Sequence, residues 1–264
     1  AEHEGHLARE LKSCRQRWLT EQLKREGKER AERWGWTNTY TYTKSLGAQL
    51  TIGRAKAQGV EVAILRPAIV ESAASFPFAG WNEGVNTCAP IVYLYWKGQR
   101  FCPSNPDNLL DVIPVDWVCH GTLLAAAELL EGRSRVVYQC ATGEANPLTM
   151  RRAIELTNLA WRRRYDRDMG PLQRHLMRNL DTLPVSADFY QRAGAPMVKR
   201  ASQGAQSLLK ALPAPLKGAL APVSKGLSAL EKGAHVADSI FKIFAPFILI
   251  NNPRFEAHNT LAAA

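Results

Sequence analysis

The stretch that decides the fold is Val60–Val70, which reads Val-Glu-Val-Ala-Ile-Leu-Arg-Pro-Ala-Ile-Val. It follows Gly59 and is mostly apolar, with many β-branched side chains. Such a run after a glycine is typical of a fully buried strand in a parallel sheet. The stretch therefore predicts a strand that is covered on both of its faces.

Helices are predicted on both sides of this strand. Residues 7–34 are dense in good helix formers, which indicates one or two solvated helices. Residues 40–57 form a second helical segment that ends near Gly59. Two short strands and an apolar helix follow at 111–115, 135–141 and 116–130, with loops at 75–90 and 99–110. This alternation predicts an α/β fold up to about residue 150.

Strand patterns are missing from residues 151–264, which are predicted to be mostly α-helical. Leucines recur every three or four positions between residues 205 and 233, and lysines recur every seven or eight. Pro213, Pro215 and Pro222 would cut this segment into short helices. Two interpretations stay open: short helices packed on the domain, which the prolines favour, or an interfacial element on a membrane.

The charge of the chain is concentrated in its C-terminal part. The 264 residues contain 34 Lys+Arg and 24 Asp+Glu, a formal balance of +10. Residues 151–264 hold 17 basic and 8 acidic side chains, a balance of +9. This asymmetry indicates an anionic partner, namely a nucleic acid, an anionic lipid surface or a phosphorylated ligand. A solubilising surface is the alternative interpretation.

Several classes of protein are disfavoured by composition. The five cysteines never form a C-x-x-C pair and the six histidines show no ligand spacing, so we expect neither a disulfide framework nor a metal site. The first residues lack the pattern of a signal peptide, and no run reaches the ~18 apolar residues of a membrane span. We therefore expect a cytoplasmic protein. No recognised nucleic-acid module is present, so no nucleic-acid partner is expected.

Tyr40 and Lys44 are the candidate catalytic pair. On a helix, residues four apart lie on one face, one turn from each other. An ammonium beside a phenol stabilises the phenolate, so Tyr40 could exchange a proton at neutral pH. Carbonyl reduction needs such a proton donor, and the lysine can also hold the ribose of a nicotinamide cofactor. An ordinary helix with a half-buried tyrosine and a solvated lysine is the alternative interpretation.

Five short motifs in a fixed order surround this pair. They are Asn38-Thr-Tyr-Thr-Tyr-Thr-Lys44, Arg66-Pro-Ala-Ile-Val70, Pro77-Phe-Ala-Gly-Trp81, Asp111-Val-Ile-Pro-Val-Asp116 and Asn146-Pro-Leu-Thr149. In this order they resemble the extended short-chain dehydrogenase/reductases, and more narrowly the alcohol-forming, male-sterility-type fatty acyl-CoA reductases. The resemblance covers about residues 7–155. It continues more faintly to the end, where Phe247–Thr260 takes the place of the closing motif of the family.

The resemblance implies a reaction and a set of roles. The reaction is the reduction of a fatty acyl-CoA thioester by NADPH to fatty aldehyde or alcohol. Tyr40 would be the general acid and Lys44 the ribose ligand, and both would contact the cofactor. The backbone of Pro67, Ala68 and Ile69 would flank the nicotinamide. The loop from Phe76 to Pro90 would border the acyl pocket, and the basic C-terminal part would suit coenzyme A phosphates or an anionic membrane surface.

Three charged residues in these motifs are not assigned a catalytic role. Asp111 and Asp116 are predicted to be turn and cap residues rather than catalytic ones. Arg66, at the end of the predicted strand, is equally consistent with a structural hydrogen-bonding role and with a ligand.

One departure from the family pattern shapes the domain prediction. No glycine-rich strand–turn–helix precedes Tyr40, and the catalytic Ser/Thr of the family is also missing. Residues 1–150 are therefore predicted to be the C-terminal portion of a Rossmann-like reductase domain, N-terminally truncated, followed by a basic helical domain at 151–264. Alone, this chain is predicted not to turn over substrate. The alternatives are a nucleotide-sugar reductase or epimerase, and an inactive fragment that binds lipid or membrane.

Overall fold

The structure is a computed structural model that describes residues 2–168, 170–172, 175, 181–213, 216, 220–250 and 253–264. Its described part is a mixture of helices and strands in which helix predominates. It divides into two compact units, Ala1–Val62 and Ala63–Ala264. Pro215 and Lys217, which belong to the predicted proline and lysine pattern, lie outside the described residues, as do Asn251 and Asn252 of the predicted closing motif.

The first unit consists of two helices, α1 (Glu2–Arg33) and α2 (Thr39–Gln58). The prediction of one or two helices over residues 7–34 is confirmed, and the segment forms a single helix. Ion pairs between neighbouring turns follow its exposed surface, such as Lys28 with Glu32 at 3.6 Å. A helix of this composition remains solvated along most of its length because its apolar side chains are few.

The ends of α2 follow rules that can be read from the sequence. The Asn38 side chain accepts a hydrogen bond from the Thr41 N–H at 2.9 Å and so caps the first turn. At the other end Gly59 adopts φ 66°, and its N–H donates to the Ala55 and Lys56 carbonyls. The predicted helix over residues 40–57 is confirmed.

In the second unit the predicted strand forms two short strands, β1 (Ile64–Pro67) and β2 (Ile69–Glu71). The Ala68 N–H donates to the Cys140 carbonyl at 2.8 Å, whereas the Ile69 N–H donates to the Asp111 carbonyl at 3.0 Å. The chain therefore changes its hydrogen-bonding neighbour at Ala68.

Each half of this strand has its own parallel partner. β1 pairs with β5 (Val137–Cys140), and β2 pairs with β4 (Val112–Pro114). The prediction of a fully buried strand is wrong, because β1 is half-buried in its first part and exposed at Arg66 and Pro67. Within the described residues each half pairs with a single strand, so its burial is that of a sheet edge.

Two helices pack against the β1–β5 pair. They are α4 (Val115–Leu130) and the C-terminal α9 (His258–Ala263). Gly121 of α4 allows close approach, since a Cβ there would lie 2.6 Å from the Cys140 sulfur. From α9, the Asn259 amide donates to the Val137 carbonyl at 2.9 Å and the Thr260 hydroxyl donates to the Gln139 carbonyl at 2.7 Å. The end of the chain is thus held on β5.

The main hydrophobic core of the second unit joins segments from both sides of residue 150. It includes α3 (Ala89–Trp96) and α5 (Met150–Asp168), together with the helices described below. Its buried members are Ile91, Leu94, Tyr95, Cys102, Met150, Ile154, Tyr190, Ala195, Ala234, Ala237, Phe241 and Ile248. The helical C-terminal segments therefore complete the same core as the segment that contains α3.

A third parallel strand pair corrects two expectations. β3 (Phe101–Pro103) lies in the predicted loop 99–110, and it pairs with β6 (Leu183–Val185), which lies in the part predicted to lack strands. Each strand has three residues and contains a proline, so neither offers enough alternation to be recognised from the sequence. Non-local pairing stabilises them.

Two further helices among the described residues pack antiparallel to each other, and a short helix comes before them. They are α6 (Ala187–Ala193), α7 (Ala195–Ala211) and α8 (Ala221–Ala245), which continues into a π-helical turn, Pro246–Ile250. Pro213 follows α7 and Pro222 lies in the first turn of α8, where a proline is tolerated. The prolines therefore limit the helices without cutting them into short pieces.

The two antiparallel helices, α7 and α8, contact each other along their length. The Gln203 and Gln206 amides both donate to the Glu231 carboxylate, at 2.7 and 3.0 Å. Further towards the core, Lys199 lies 3.4 Å from His235. Among the described residues, Ala221–Ile250 is one run that is long and apolar enough to cross a membrane by length and composition, a test that core helices of soluble proteins also pass.

Candidate active site

The structure places Tyr40 and Lys44 together on one face of α2. The Lys44 ammonium nitrogen lies 5.7 Å from the centroid of the Tyr40 ring, a cation–π distance. Tyr40 is 63% exposed, and Lys44 is also exposed. The phenol and the ammonium are therefore neighbours that an incoming ligand could contact at the same time.

Hydroxyl side chains fasten the turn that carries this pair. The Thr43 hydroxyl donates to the Tyr40 carbonyl at 3.0 Å, and the Thr41 hydroxyl lies 3.1 Å from the Asn38 side-chain oxygen. Threonine is a modest helix former because its hydroxyl competes for backbone groups. Here those hydroxyls bond within the first turn, and α2 begins just before Tyr40.

Pro67, Ala68 and Ile69 lie in the second unit, at the point where the strand changes partner. The N–H groups of Ala68 and Ile69 both donate hydrogen bonds to neighbouring segments. Pro67 has no backbone N–H group. The segment is thereby held on the sheet by two different neighbours. Arg66 is exposed and stands opposite Gln139 in the parallel register.

Asp111 holds the turn that follows β5. Its carboxylate accepts hydrogen bonds from the N–H groups of Thr142 and Gly143, at 3.0 and 2.9 Å. A Cβ on Gly143 would come within 2.6 Å of the Asp111 carboxylate oxygen, so the contact suits glycine. The predicted turn role of Asp111 is confirmed.

Asp116 is buried and binds the backbone of residues 74–76, at the start of the loop that was predicted over residues 75–90. It accepts hydrogen bonds from the N–H groups of Ala74, Ser75 and Phe76, at 3.0, 2.9 and 3.2 Å, and from the Ser75 hydroxyl at 3.0 Å. The hydrogen bond from Ala74 is the largest cause that holds the pKa of Asp116 well below its usual range, and those from Ser75 and Phe76 add to it. The sequence pattern predicts a cap at Asp116 and gives no sign of these hydrogen bonds, because donor and acceptor are about 40 residues apart.

The loop that Asp116 fastens displays apolar side chains. Phe76 is 74% exposed and Phe78 is 62% exposed. The loop closes on itself through two backbone bonds, from the Ala73 N–H to the Trp81 carbonyl at 2.9 Å and from the Gly80 N–H to the Ala73 carbonyl at 2.8 Å. Exposed aromatic groups on a fastened loop provide a surface for an apolar ligand.

Glu71 and Cys88 join the far end of this loop to β2. The Glu71 carboxylate accepts a hydrogen bond from the Cys88 N–H at 2.8 Å. Burial raises the pKa of the Cys88 thiol, and the nearby Glu71 charge raises it further. The thiol therefore stays protonated at neutral pH, which does not suit a nucleophile.

No group of three or more metal-binding side chains occurs within the part of the chain that the structure describes. The exposed side chains of the candidate pair on α2 are a phenol and an ammonium. These suit proton donation and the binding of hydroxyl groups.

The chain is similar to known proteins over part of its length. Residues 1–122 match the male sterility protein family, which is an NAD-binding family. Over 147 residues the chain is 35% identical to the probable fatty acyl-CoA reductase 4 of Arabidopsis thaliana, covering 54% of this chain and 29% of that protein. Over 140 residues it is 34% identical to the alcohol-forming fatty acyl-CoA reductase of Simmondsia chinensis, covering 52% and 28%.

The similarity extends to an animal relative. Over 115 residues the chain is 33% identical to fatty acyl-CoA reductase 2 of Bos taurus, covering 42% of this chain and 22% of that protein. The chain thus spans less than a third of the length of each of these relatives.

Proposed function

We propose that this chain, which is similar to the male sterility protein family and to fatty acyl-CoA reductases, supplies catalytic groups for the reduction of a fatty acyl-CoA by NADPH. The product would be the fatty aldehyde or alcohol. The chain spans 29% of its Arabidopsis relative, so the activity is proposed for the whole protein. The placement of the Lys44 ammonium 5.7 Å from the Tyr40 ring centroid is the observation that carries this proposal.

Tyr40 is the proposed proton donor. Its phenol O–H would donate to the carbonyl oxygen of the thioester as negative charge develops there. When bound, the nicotinamide cofactor supplies the hydride. The Lys44 ammonium would stabilise the phenolate that Tyr40 becomes, because opposite charges at short range favour the ionised form.

Part of the cofactor fits the residues at hand. An exposed phenol and an exposed ammonium on one helical face match the hydroxyl groups of a ribose, and Lys44 would hold them. The backbone at Pro67, Ala68 and Ile69 would flank the nicotinamide ring. A glycine-rich loop for the pyrophosphate is not among the motifs of this sequence, so the fit concerns the nicotinamide and its ribose.

The substrate requires a surface for an apolar chain and a contact for phosphates. The exposed Phe76 and Phe78 on the loop fastened by Asp116 suit the acyl chain. The +9 balance of residues 151–264 suits the phosphates of coenzyme A or an anionic membrane. We propose that residues 1–150 belong to a Rossmann-like reductase domain and residues 151–264 to a mostly helical domain that shares the core described above, at a cytoplasmic or peripheral membrane location.

The proposal is tested by Tyr40→Phe in the catalytically competent protein that contains this chain. Loss of a positioned proton donor should lower kcat by roughly 10²- to 10⁴-fold, while KM for NADPH stays nearly constant. Tyr42→Phe, two positions away on the same helix, is the control and should leave kcat unchanged. Unchanged turnover of the Tyr40→Phe protein would refute the assignment.

A further inference from the structure

The β1–β5 pair depends on other elements for its position. β1 (Ile64–Pro67) and β5 (Val137–Cys140) have four residues each, and within the described part of the chain neither pairs with a further strand. An isolated pair of short strands is at best marginally stable in water, and parallel strands need cover from other elements. The elements that pack on this pair therefore decide where its strands end.

The outer edge of β5 is the edge that faces away from β1. The Ala68 N–H donates to the Cys140 carbonyl at 2.8 Å, so that carbonyl points towards β1. Successive carbonyls of a strand point alternately to its two edges, so those of Val137 and Gln139 lie on the outer edge. An edge without a neighbouring strand leaves such carbonyls to be paired by other groups.

Two side chains of α9 pair with these two carbonyls. The Asn259 amide donates to the Val137 carbonyl at 2.9 Å, and the Thr260 hydroxyl donates to the Gln139 carbonyl at 2.7 Å. In a wider sheet the N–H groups of a third strand would occupy these positions. The C-terminal helix thus does for β5 what a neighbouring strand would do.

Helix α4 closes the same region from a third side. A Cβ on Gly121 would lie 2.6 Å from the Cys140 sulfur and 4.0 Å from the Thr260 methyl carbon, so α4, α9 and β5 meet at this glycine. Cys140, the last residue of β5, is 3% exposed. The end of β5 is therefore enclosed, and α9 is part of that enclosure.

The end of β5 is important because it holds the backbone of Ala68. The Ala68 N–H bonds to Cys140, whereas the Ile69 N–H bonds to the Asp111 carbonyl at 3.0 Å, just before β4. Ala68 is thus the last residue of this stretch whose N–H depends on β5. It belongs to Pro67–Ile69, the segment proposed above to flank the nicotinamide, so the present inference rests on the proposed function.

We propose that Asn259 and Thr260 are positioning residues for the nicotinamide cofactor. By binding the outer edge of β5 they fix Cys140, and through it the backbone of Ala68. Neither side chain would touch the cofactor, since both act through β5. The donors are 122 and 121 residues from their acceptors, so a local sequence pattern does not reveal this role.

The first test measures amide hydrogen exchange in the full 264-residue chain without cofactor. Asn259→Ala with Thr260→Val removes both donors, and valine keeps the shape of threonine. Exchange at the Ala68 N–H should become about tenfold faster, because β5 loses the two hydrogen bonds on its outer edge. Exchange at Ile69 should change less, since its acceptor is Asp111.

Two controls accompany this variant. His258→Ala with Leu261→Ala changes the same helix at side chains that are 73% and 70% exposed, and Ala68 should then exchange as in the parent protein. Thr260→Ser keeps the hydroxyl donor and should also exchange like the parent. The Leu94 N–H, in the main core, reports overall unfolding and should keep its parent rate in every variant.

The second test uses the catalytically competent protein that contains this chain. Asn259→Ala with Thr260→Val should raise KM for NADPH by roughly fivefold and leave KM for the acyl-CoA constant. A smaller folded fraction would lower the apparent kcat without changing KM, so this readout separates positioning from stability alone. Tyr40→Phe is expected to show the reverse pattern, with a lower kcat and a constant KM for NADPH.

Three results would overturn the positioning role. The first is unchanged exchange at Ala68 in the double variant. The second is equal acceleration at Ala68 and Leu94, which would show that α9 stabilises the whole unit. The third is faster exchange at Ala68 with an unchanged KM for NADPH. The proposed function fails by a different result, unchanged turnover of Tyr40→Phe, which leaves the exchange measurements as they are.

Discussion

The two compact units differ in what their side chains are used for. In the first, Ala31 is the one buried hydrophobic side chain among the described side chains of residues 5–62, and α2 has no buried residue. In the second, twelve residues form a connected buried core. Ion pairs between adjacent turns, as on α1, contribute only about 0.2–0.5 kcal/mol each. In the first unit most side chains are thus exposed to solvent, whereas the second unit has a packed core. The candidate catalytic pair lies among the exposed side chains.

The largest effect on the free energy of unfolding is expected when a buried leucine is replaced, and an exposed leucine provides the comparison. Leu94 is 5% exposed in the core of the second unit, whereas Leu11 is 63% exposed on α1. Leu94→Ala should lower the free energy of unfolding by about 2–5 kcal/mol, because it removes apolar contacts and leaves a cavity. Leu11→Ala should change it by less than about 0.5 kcal/mol. Urea unfolding followed by circular dichroism measures both, and similar losses at the two sites would contradict the comparison.

Alanine replacements at two glycines should change the stability by smaller amounts, with a loss at one position and a gain at the other. Gly143→Ala places a Cβ 2.6 Å from the Asp111 carboxylate and should destabilise the second unit by about 1–3 kcal/mol. At Gly53, in the interior of α2, nothing lies within 4 Å of an added Cβ. Gly53→Ala should therefore raise the stability of α2 by about 0.5–1 kcal/mol. Thermal unfolding checks both, and a loss at Gly53 would show that α2 is more tightly packed than its exposure indicates.

The smallest effect is expected in the pH dependence of stability. Hydrogen bonds from Ala74, Ser75 and Phe76 lower the pKa of Asp116 in the folded protein, so its ionised form stabilises the fold above the unfolded carboxyl pKa of about 3.9. That contribution disappears as the pH falls through the lower folded pKa. The stability difference between the parent protein and Asp116→Asn should therefore shrink on acidification below about pH 4.

An exposed aspartate provides the control for this measurement. Asp188 lies at the surface with its side chain 85% exposed. The difference between the parent protein and Asp188→Asn should change little over the same pH range. If the stability differences of the two variants changed equally with pH, the hydrogen bonds to Asp116 would not stabilise its ionised form as expected.

Features that depend on neighbours along the chain could be predicted from the sequence. The bounds of α2 follow from the Asn38 cap and the left-handed Gly59, and the approach of Lys44 to Tyr40 follows from their spacing of four. The resemblance to fatty acyl-CoA reductases followed from ordered motifs, and the comparisons find similarity to the same proteins over about half of the chain. The roles of Tyr40 and Lys44 stay predictions.

Features that depend on distant neighbours could not be predicted in the same way. The change of partner at Ala68 requires Cys140 and Asp111, and the strand at Leu183–Val185 exists because β3 lies beside it. The hydrogen bonds to Asp116 join groups about 40 residues apart. None of these leaves a periodic signal, because each is a single long-range contact.

Helix α8 illustrates the same division within one segment. The sequence by itself determined that leucines share one helical face and lysines another, since that depends only on the 3.6-residue repeat. Only the tertiary structure decided which of the apolar side chains on this face of α8 are covered, because burial depends on where the core ends. Phe241 lies inside that limit and Leu230 lies outside it.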